Sequence, residues 1–229
     1  MKSTIAAVLL DLDGTLLDTA PDLATALNVV LQQRGHPPLP FHLIRPWCSE
    51  GSKGLLGLGF HIDDKHPDFP QLRTDFLQAY HHHLIEKTAV FPGMVEVLNY
   101  LVARRVPWGI VTNKPIALAE ELLNAFDLPD YKCLIGGDSL AKRKPEPEPL
   151  LHACAQLGYT PEKCVYIGDS QRDIEAAKRA QMLAVAALYG YRTSEDHPGR
   201  WQADFYIDSP HDIIPLLEIL LGELSPHIL

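Results

Sequence analysis

Two aspartates set two residues apart, Asp11 and Asp13, follow an apolar run from Ile5 to Leu10 and precede Gly14-Thr15. Within a strand, residues i and i+2 share a face, and at its end a turn can present both carboxylates to one ligand. Crowded carboxylates resist joint ionisation, so such a pair is costly unless a cation is present. Taken alone, the motif is also compatible with two ordinary loop aspartates. A second acidic stretch, Gly168-Asp169-Ser170-Gln171-Arg172-Asp173, follows the apolar run Val165–Ile167 and leads into a helical pattern. Asp169 is thereby a candidate to join Asp11 around a hard divalent ion, which prefers oxygen ligands. Ser170 and Asp173 stand behind it as supporting residues, and Asp173 also reads as a helix-start acid favoured by the helix dipole.

Thr112-Asn113-Lys114 ends the apolar run Trp108–Val111. A hydroxyl and backbone amides at a strand end, followed by a helix N-terminus, can hold phosphate oxygens, so Thr112 and Asn113 are phosphate-binding candidates. Asn-Lys turns are common, and the triplet by itself is a weak signal. Lys144 precedes Pro145-Glu146-Pro147, whose prolines stiffen the loop. A lysine fixed there can neutralise an anionic nucleophile and a phosphate group, whereas Lys142 and Arg143 read as solvated. Arg45, Ser52 and Lys53 are candidates for substrate contact. Arg45 has an ion pair with an acid as its alternative, and Ser52 and Lys53 a solvated helix-start loop. Three consecutive histidines, His81–His83, point in different directions on a helix, which disfavours a shared metal. Trp47 and Trp201 read mainly as packing residues.

These groups need a scaffold that gathers strand ends. Short apolar runs at Ile5–Leu10, Trp108–Thr112, Lys132–Ile135, Cys164–Ile167, Leu183–Ala187 and Asp204–Ile207 alternate with helical stretches. The helical stretches lie at Met94–Arg105, Pro115–Phe126, Pro147–Leu157, Arg172–Ala180 and His211–Leu221, the pattern of an α/β fold with a parallel sheet covered by helices. Thr19-Ala20-Pro21-Asp22 supplies a helix start with a possible threonine cap. Between Leu16 and about Lys87 the alternation stops, leaving three helical segments near Pro21–Gln33, Gly51–Leu58 and Pro70–Leu84. The expected division is a catalytic core of residues 1–17 and 88–229 and a small all-helical lobe of residues 18–87. Such a lobe would cover the carboxyl ends of the sheet, where open α/β folds bind ligands.

The formal charge of −9, from 29 acidic and 20 basic residues without a long basic run, argues against nucleic acid as a partner. A small phosphorylated metabolite can still be held by a few local cations. The apolar run cut short by Asp11 has neither signal-peptide nor membrane-span character, and the spacing of Cys48, Cys133, Cys154 and Cys164 suits buried free thiols. A cytoplasmic protein without membrane association is expected, monomeric by default with a homodimer as the alternative.

Asp11–Thr15, Thr112-Asn113, Lys144-Pro145 and Gly168-Asp169 with Asp173 resemble, in this order, the four motifs of the haloacid-dehalogenase-like phosphatases. The resemblance covers nearly the whole chain and implies a Rossmann-like sheet with an inserted helical cap. It implies Asp11 as nucleophile, forming an aspartyl-phosphate, and Asp13 as general acid and then base. It further implies Mg2+ held by Asp11, Asp169 and the backbone carbonyl of Asp13, and phosphate held by Thr112 and Lys144. Asp13 distinguishes phosphoryl transfer from dehalogenation, since a departing halide needs no proton. The family's phosphatases commonly carry asparagine where this chain has Arg172, a departure expected to spare catalysis. Leu17–Leu23 and Phe91–Met94 resemble the phosphoglycolate phosphatase branch. Ile44-Arg45, Glu50–Gly54, Trp108–Pro115, Glu195–Pro198 and Trp201–Asp204 are similar to phosphatases of N-acetylmuramic acid 6-phosphate. The amino-sugar phosphate is therefore the preferred substrate, with 2-phosphoglycolate, another sugar phosphate or a phosphohexomutase reaction as alternatives.

Overall fold

The computed structural model describes residues 4–222. Met1–Ser3, which begin the segment read for a targeting signal, lie outside it.

Six strands form a parallel sheet in the order β5-β4-β1-β6-β7-β8. They are β1 (Ala7–Leu10), β4 (Trp108–Val111), β5 (Leu134–Ile135), β6 (Cys164–Gly168), β7 (Leu183–Ala187) and β8 (Phe205–Ile207). Side chains alternate across a strand, and here both faces are apolar because helices cover both. Val8 and Leu10 of β1 join one buried cluster with Val97, Leu101 and Leu216, while Ala7 and Leu9 join the other with Leu150, Ala153 and Ile174. The helices supplying those residues are α5 (Met94–Ala103), α9 (Ile213–Leu220), α7 (Glu148–Leu157) and α8 (Gln171–Arg179), with α6 (Ile116–Asn124) on the first face.

The interval after β1 is helical, as expected, but richer than its periodicity showed. It holds α1 (Ala20–Gln33), α2 (Phe41–Ile44), a 3-10 segment (Arg45–Glu50), α3 (Gly51–Phe60) and α4 (Phe69–His82), which pack on one another. The short α2 and the 3-10 segment were missed because four to six residues carry too little periodicity to register. A second correction concerns the two connecting segments. Leu17–Asp18 (β2) and Ala89–Val90 (β3), at the two ends of the insertion, pair antiparallel as a small ribbon that the sequence pattern did not show. Two-residue strands leave no pattern, and their pairing links positions about seventy residues apart.

The expected threonine cap on α1 is also corrected. Thr19 makes no cap hydrogen bond; its hydroxyl donates instead to Asp13 Oδ1 at 2.5 Å. Asp22, in the first turn of α1, is buried and accepts from the amides of Lys87 and Thr88 and from the Thr88 hydroxyl. Both ends of the helical insertion are thus tied together beside the ribbon. No helix among the described residues is long and apolar enough to cross a membrane, and all four cysteines are buried and unpaired.

Candidate active site

The chain runs from β1 to β4 and β5 on one side, then returns to β6, β7 and β8 on the other. The carboxyl end of β1 is therefore the switch point at which an open sheet forms a crevice. Asp11 follows β1, Thr112 follows β4 and Asp169 follows β6, so three sequence motifs meet at neighbouring strand ends. The turn after Asp13 requires Gly14: its φ is +82°, and a Cβ there would stand 2.1 Å from Asp169 Oδ2.

Lys144 is the buried centre of the site. Its Nζ lies 2.8 Å from Asp11 Oδ1, 2.7 Å from Asp173 Oδ1 and 2.9 Å from the Val111 carbonyl oxygen, to which it donates. Tyr166 OH accepts from it at 2.7 Å. Asp173 divides its two oxygens. Oδ1 holds the lysine, while Oδ2 accepts from the amide and hydroxyl of Ser170 in the capping box that starts α8. Asp173 thus starts α8 and contacts Lys144 with the same side chain. Asn113 Nδ2 donates to the Lys144 carbonyl and so fixes the lysine loop, and Thr112 Oγ1 accepts from the Lys114 amide.

Asp169 Oδ2 accepts from the Ser49 hydroxyl and the Tyr191 amide, but its Oδ1 is buried without a hydrogen-bond partner. One oxygen from each of Asp11, Asp169 and Asp173 lies within 4.8 Å of the others. Burial and the charges of Asp173 and Asp11 hold the Asp169 carboxyl well above the usual carboxylate range. Burial likewise pushes Asp11 up to about 7, with Lys144 opposing and Asp173 and Asp13 adding to the rise. For Asp173, burial opposes ionisation, and Lys144 and Ser170 outweigh it, leaving its carboxyl below the usual value. Three buried carboxylates therefore face one ammonium. An anionic set of oxygens with one unsatisfied atom suits a hard divalent cation.

Asp13 is held through one of its two oxygens. Its Oδ1 accepts from Thr19 and from Lys114 Nζ at 2.8 Å. Lys114 is buried, and although burial disfavours its charge, Asp13 and Tyr80 raise its pKa; Nζ also lies 4.5 Å from the centre of the Tyr80 ring. Lys114, Thr19, Ser49, Tyr166 and Tyr191 were not identified from sequence as site residues. The Thr-Asn-Lys motif was the one available signal, for Lys114. Thr19 and Tyr166 lie six and seven residues from Asp13 and Asp173 but belong to no motif, and Ser49 and Tyr191 meet the site through long-range packing.

A cavity of about 530 Å³ opens above these residues. Ser52 and Lys53 line it, although Lys53 Nζ is 2.8 Å from Asp64. Arg45 is not among its lining residues. It pairs with Asp18 Oδ1 at 2.7 Å and stacks over the Tyr191 ring, the ion-pair alternative to substrate contact. His81 and His83 contact Glu121 and Glu86, and the acidic trio is the only potential metal cluster among the described residues. Trp47 packs on the core, while Trp201, though buried, reaches the cavity wall.

A parallel sheet with carboxylates and a buried lysine at its switch point, beneath a helical insertion, defines an α/β enzyme for hydrolysing phosphate esters. The chain belongs to the haloacid dehalogenase-like hydrolase family, which residues 8–187 match. Among its relatives, a phosphoglycolate phosphatase of Xanthomonas campestris pv. campestris is 44% identical over 207 residues, spanning 89% of this chain and 92% of the relative. The N-acetylmuramic acid 6-phosphate phosphatase of Pseudomonas aeruginosa is 36% identical over 218 residues, 95% of this chain and 96% of its own. The crystal structure of a predicted phosphoglycolate phosphatase from Haemophilus somnus superposes with a TM-score of 0.83 at 28% identity, covering 93% of this chain and 98% of the other.

Proposed function

We propose that this phosphatase is a Mg2+-dependent phosphomonoesterase that works through Asp11 and acts on N-acetylmuramic acid 6-phosphate. The observation carrying the mechanism is the buried trio of carboxylates around Lys144, with Asp169 Oδ1 lacking any partner. Asp11 and Asp169, with the Asp13 carbonyl, would hold the ion, because both Asp173 oxygens are already engaged. Bound there, Mg2+ would act as a Lewis acid on the phosphoryl oxygens.

A carboxylate oxygen of Asp11 attacks phosphorus, the bond to the ester oxygen breaks, and Asp13 gives the departing alkoxide its proton. Water then attacks the aspartyl-phosphate while Asp13 takes the proton back, releasing inorganic phosphate and restoring the Asp11 carboxylate. Both contacts to Asp13 fall on Oδ1, which leaves Oδ2 to exchange the proton. Lys144, oriented by Asp173, and the hydroxyl and amides of Thr112-Asn113 counter the charge on the transferring group. Residues 18–87 act as a cap that excludes water during attack, moving about the paired ribbon.

The amino-sugar substrate is supported by the cavity's size and by Asp196 and Trp201, which line it and belong to the two carboxy-terminal segments similar to phosphatases of that sugar. Phosphoglycolate is the second reading, favoured by the 44% identity to a phosphatase of that name. Phosphate release with Mg2+, compared as kcat/KM on both esters with Asp11→Asn as blank, tests the assignment. Preference for phosphoglycolate would remove the amino-sugar reading. Phosphate transfer between sugar hydroxyls without release would indicate a mutase.

A further inference from the structure

One part of the cavity wall contributed by the insertion is a face of α4, where Arg73, Phe76, Leu77 and Tyr80 follow at helical spacing. Tyr80 marks the catalytic end of that face, because its ring covers Lys114, which in turn holds Asp13. Arg73 lies seven residues earlier, about 10 Å along the axis at 1.5 Å per residue. Helical side chains lean toward the N-terminus, so its guanidinium is carried farther from the carboxylates rather than toward them.

Other cations at the wall have acidic partners: Lys53 pairs with Asp64, Lys114 with Asp13, Lys144 with Asp11 and Asp173, and Arg172 with Glu50. Arg73 is exposed and makes no hydrogen bond or ion pair among the described residues. Arg143 is the other cation without such a partner, but it adjoins Lys144 at the phosphate end.

We propose that Arg73 is a specificity-determining residue that binds a carboxylate of the substrate on the side remote from the scissile phosphate. The assignment rests on the phosphomonoesterase reading and narrows its substrate class to long, doubly anionic esters. In phosphoglycolate the carboxyl carbon is three bonds from phosphorus, at most about 4 Å away, which cannot span two helical turns. In a hexose 6-phosphate with an acid ether on C3 it is eight bonds away, a reach of roughly 8–10 Å. A planar carboxylate also suits the paired donors of a guanidinium better than it suits an ammonium.

The test compares N-acetylmuramic acid 6-phosphate with N-acetylglucosamine 6-phosphate, which differ by the acid ether, in the wild type, Arg73→Ala, Arg73→Lys and Arg143→Ala. Arg73→Ala is expected to raise KM for the acidic ester on the order of 10- to 100-fold with little change in kcat, a loss of one charge-assisted contact. The neutral sugar ester and p-nitrophenyl phosphate should be unaffected, and Arg73→Lys should recover only part of the loss. Equal losses on both sugar esters, a loss confined to Arg143→Ala, or a wild type that does not distinguish the two would overturn the assignment. Preference for a hexose bisphosphate would overturn the carboxylate as the anion recognised. Calorimetric binding of the acidic ester to Asp11→Asn, with and without Arg73→Ala, reads recognition without chemistry. Binding that depends on Arg73 in a protein that releases no phosphate from any ester would uphold this inference while refuting the phosphomonoesterase reading.

Discussion

The wall of the cavity that carries Asp11, Asp169 and Lys144 is buried and cross-bonded, with Asp169 Oδ1 and Asn113 Oδ1 left over, whereas the α4 wall leaves Arg73 exposed and without a polar partner among the described residues. The first wall is made of strand ends fixed by a sheet with apolar side chains on both faces. The second belongs to an insertion that joins the core through a two-strand ribbon, a shared buried apolar cluster and polar contacts such as Ser49 to Asp169. Transition-state stabilisation depends on groups held before the substrate arrives, and a sheet edge holds them. Selection needs only a complementary charge at the right distance, which a helix face can present without disturbing the chemistry. The contrast predicts that substitutions at the sheet edge affect every ester, while those on the insertion affect particular ones.

The sharpest attempt to break this contrast is Asp11→Asn, expected to reduce phosphate release by about 10⁴-fold or more on every ester. Residual turnover that still differed between substrates as in the wild type would show that Asp11 is not the nucleophile. Asp13→Asn should cost about 10²–10⁴-fold on an alkyl phosphate, the usual range for a lost general acid. On p-nitrophenyl phosphate, whose leaving group needs little protonation, the loss should be much smaller. A uniform loss would assign Asp13 to structure or metal binding alone.

Asp173→Asn should reduce kcat by about 10²–10³-fold, since Lys144 loses an ion pair that orients it. The same substitution disturbs the α8 capping box, so circular dichroism and a melting curve must accompany the kinetics. If Asp173→Glu, long enough to reach Lys144 but displaced from the cap, recovers no activity although folded, the lysine contact is not the reason for the loss.

Removal of Mg2+ sharpens the comparison from the side of stability. Three carboxylates facing one ammonium make the metal-free site repulsive, so saturating Mg2+ should raise Tm by about 5–10 °C. Asp169→Asn should abolish that rise and leave the metal-free protein at least as stable as the wild type, because it deletes a buried charge. An unchanged Mg2+ response in this variant would exclude Asp169 from the ion's coordination.

The same contrast governs what the residue order revealed. Asp11, Asp13, Asp169 and Lys144 each follow or precede a recognisable strand or proline-stiffened loop, so their convergence could be inferred before any contact was known. The six-stranded sheet was legible for the same reason, since apolar strands between amphipathic helices leave a strong pattern. Ser49 and Tyr191 were not legible, because each acts across a long sequence separation on Asp169, whereas Thr19, only six residues from Asp13, read as a helix cap. Arg45 was assigned to the cavity on local pattern, but Asp18 and Tyr191, its partners, become neighbours only through the fold. Arg73 gave no signal at all. Its significance lies in lacking a partner, and absence of a partner is a property of three-dimensional surroundings.

Arg172 gives the mildest test, at an ion pair between the sheet-edge wall and the insertion. It stands beside Asp173 on α8, and its guanidinium pairs with Glu50 of the insertion. The pair is exposed on the Glu50 side, and surface ion pairs contribute about 0–1 kcal/mol. Arg172→Asn, which supplies the family's more common residue, should therefore change kcat/KM by less than about 5-fold. Glu50→Gln should do the same, and the double variant should lose no more than either alone, as expected when one interaction is removed twice. Any effect should appear equally in KM for short and long esters, because the pair biases closure of the insertion without touching the Arg73 end. A loss comparable to that of Asp173→Asn would mean that Arg172 acts on the phosphate directly, and the boundary between the invariant wall and the selective one would have to be redrawn through α8.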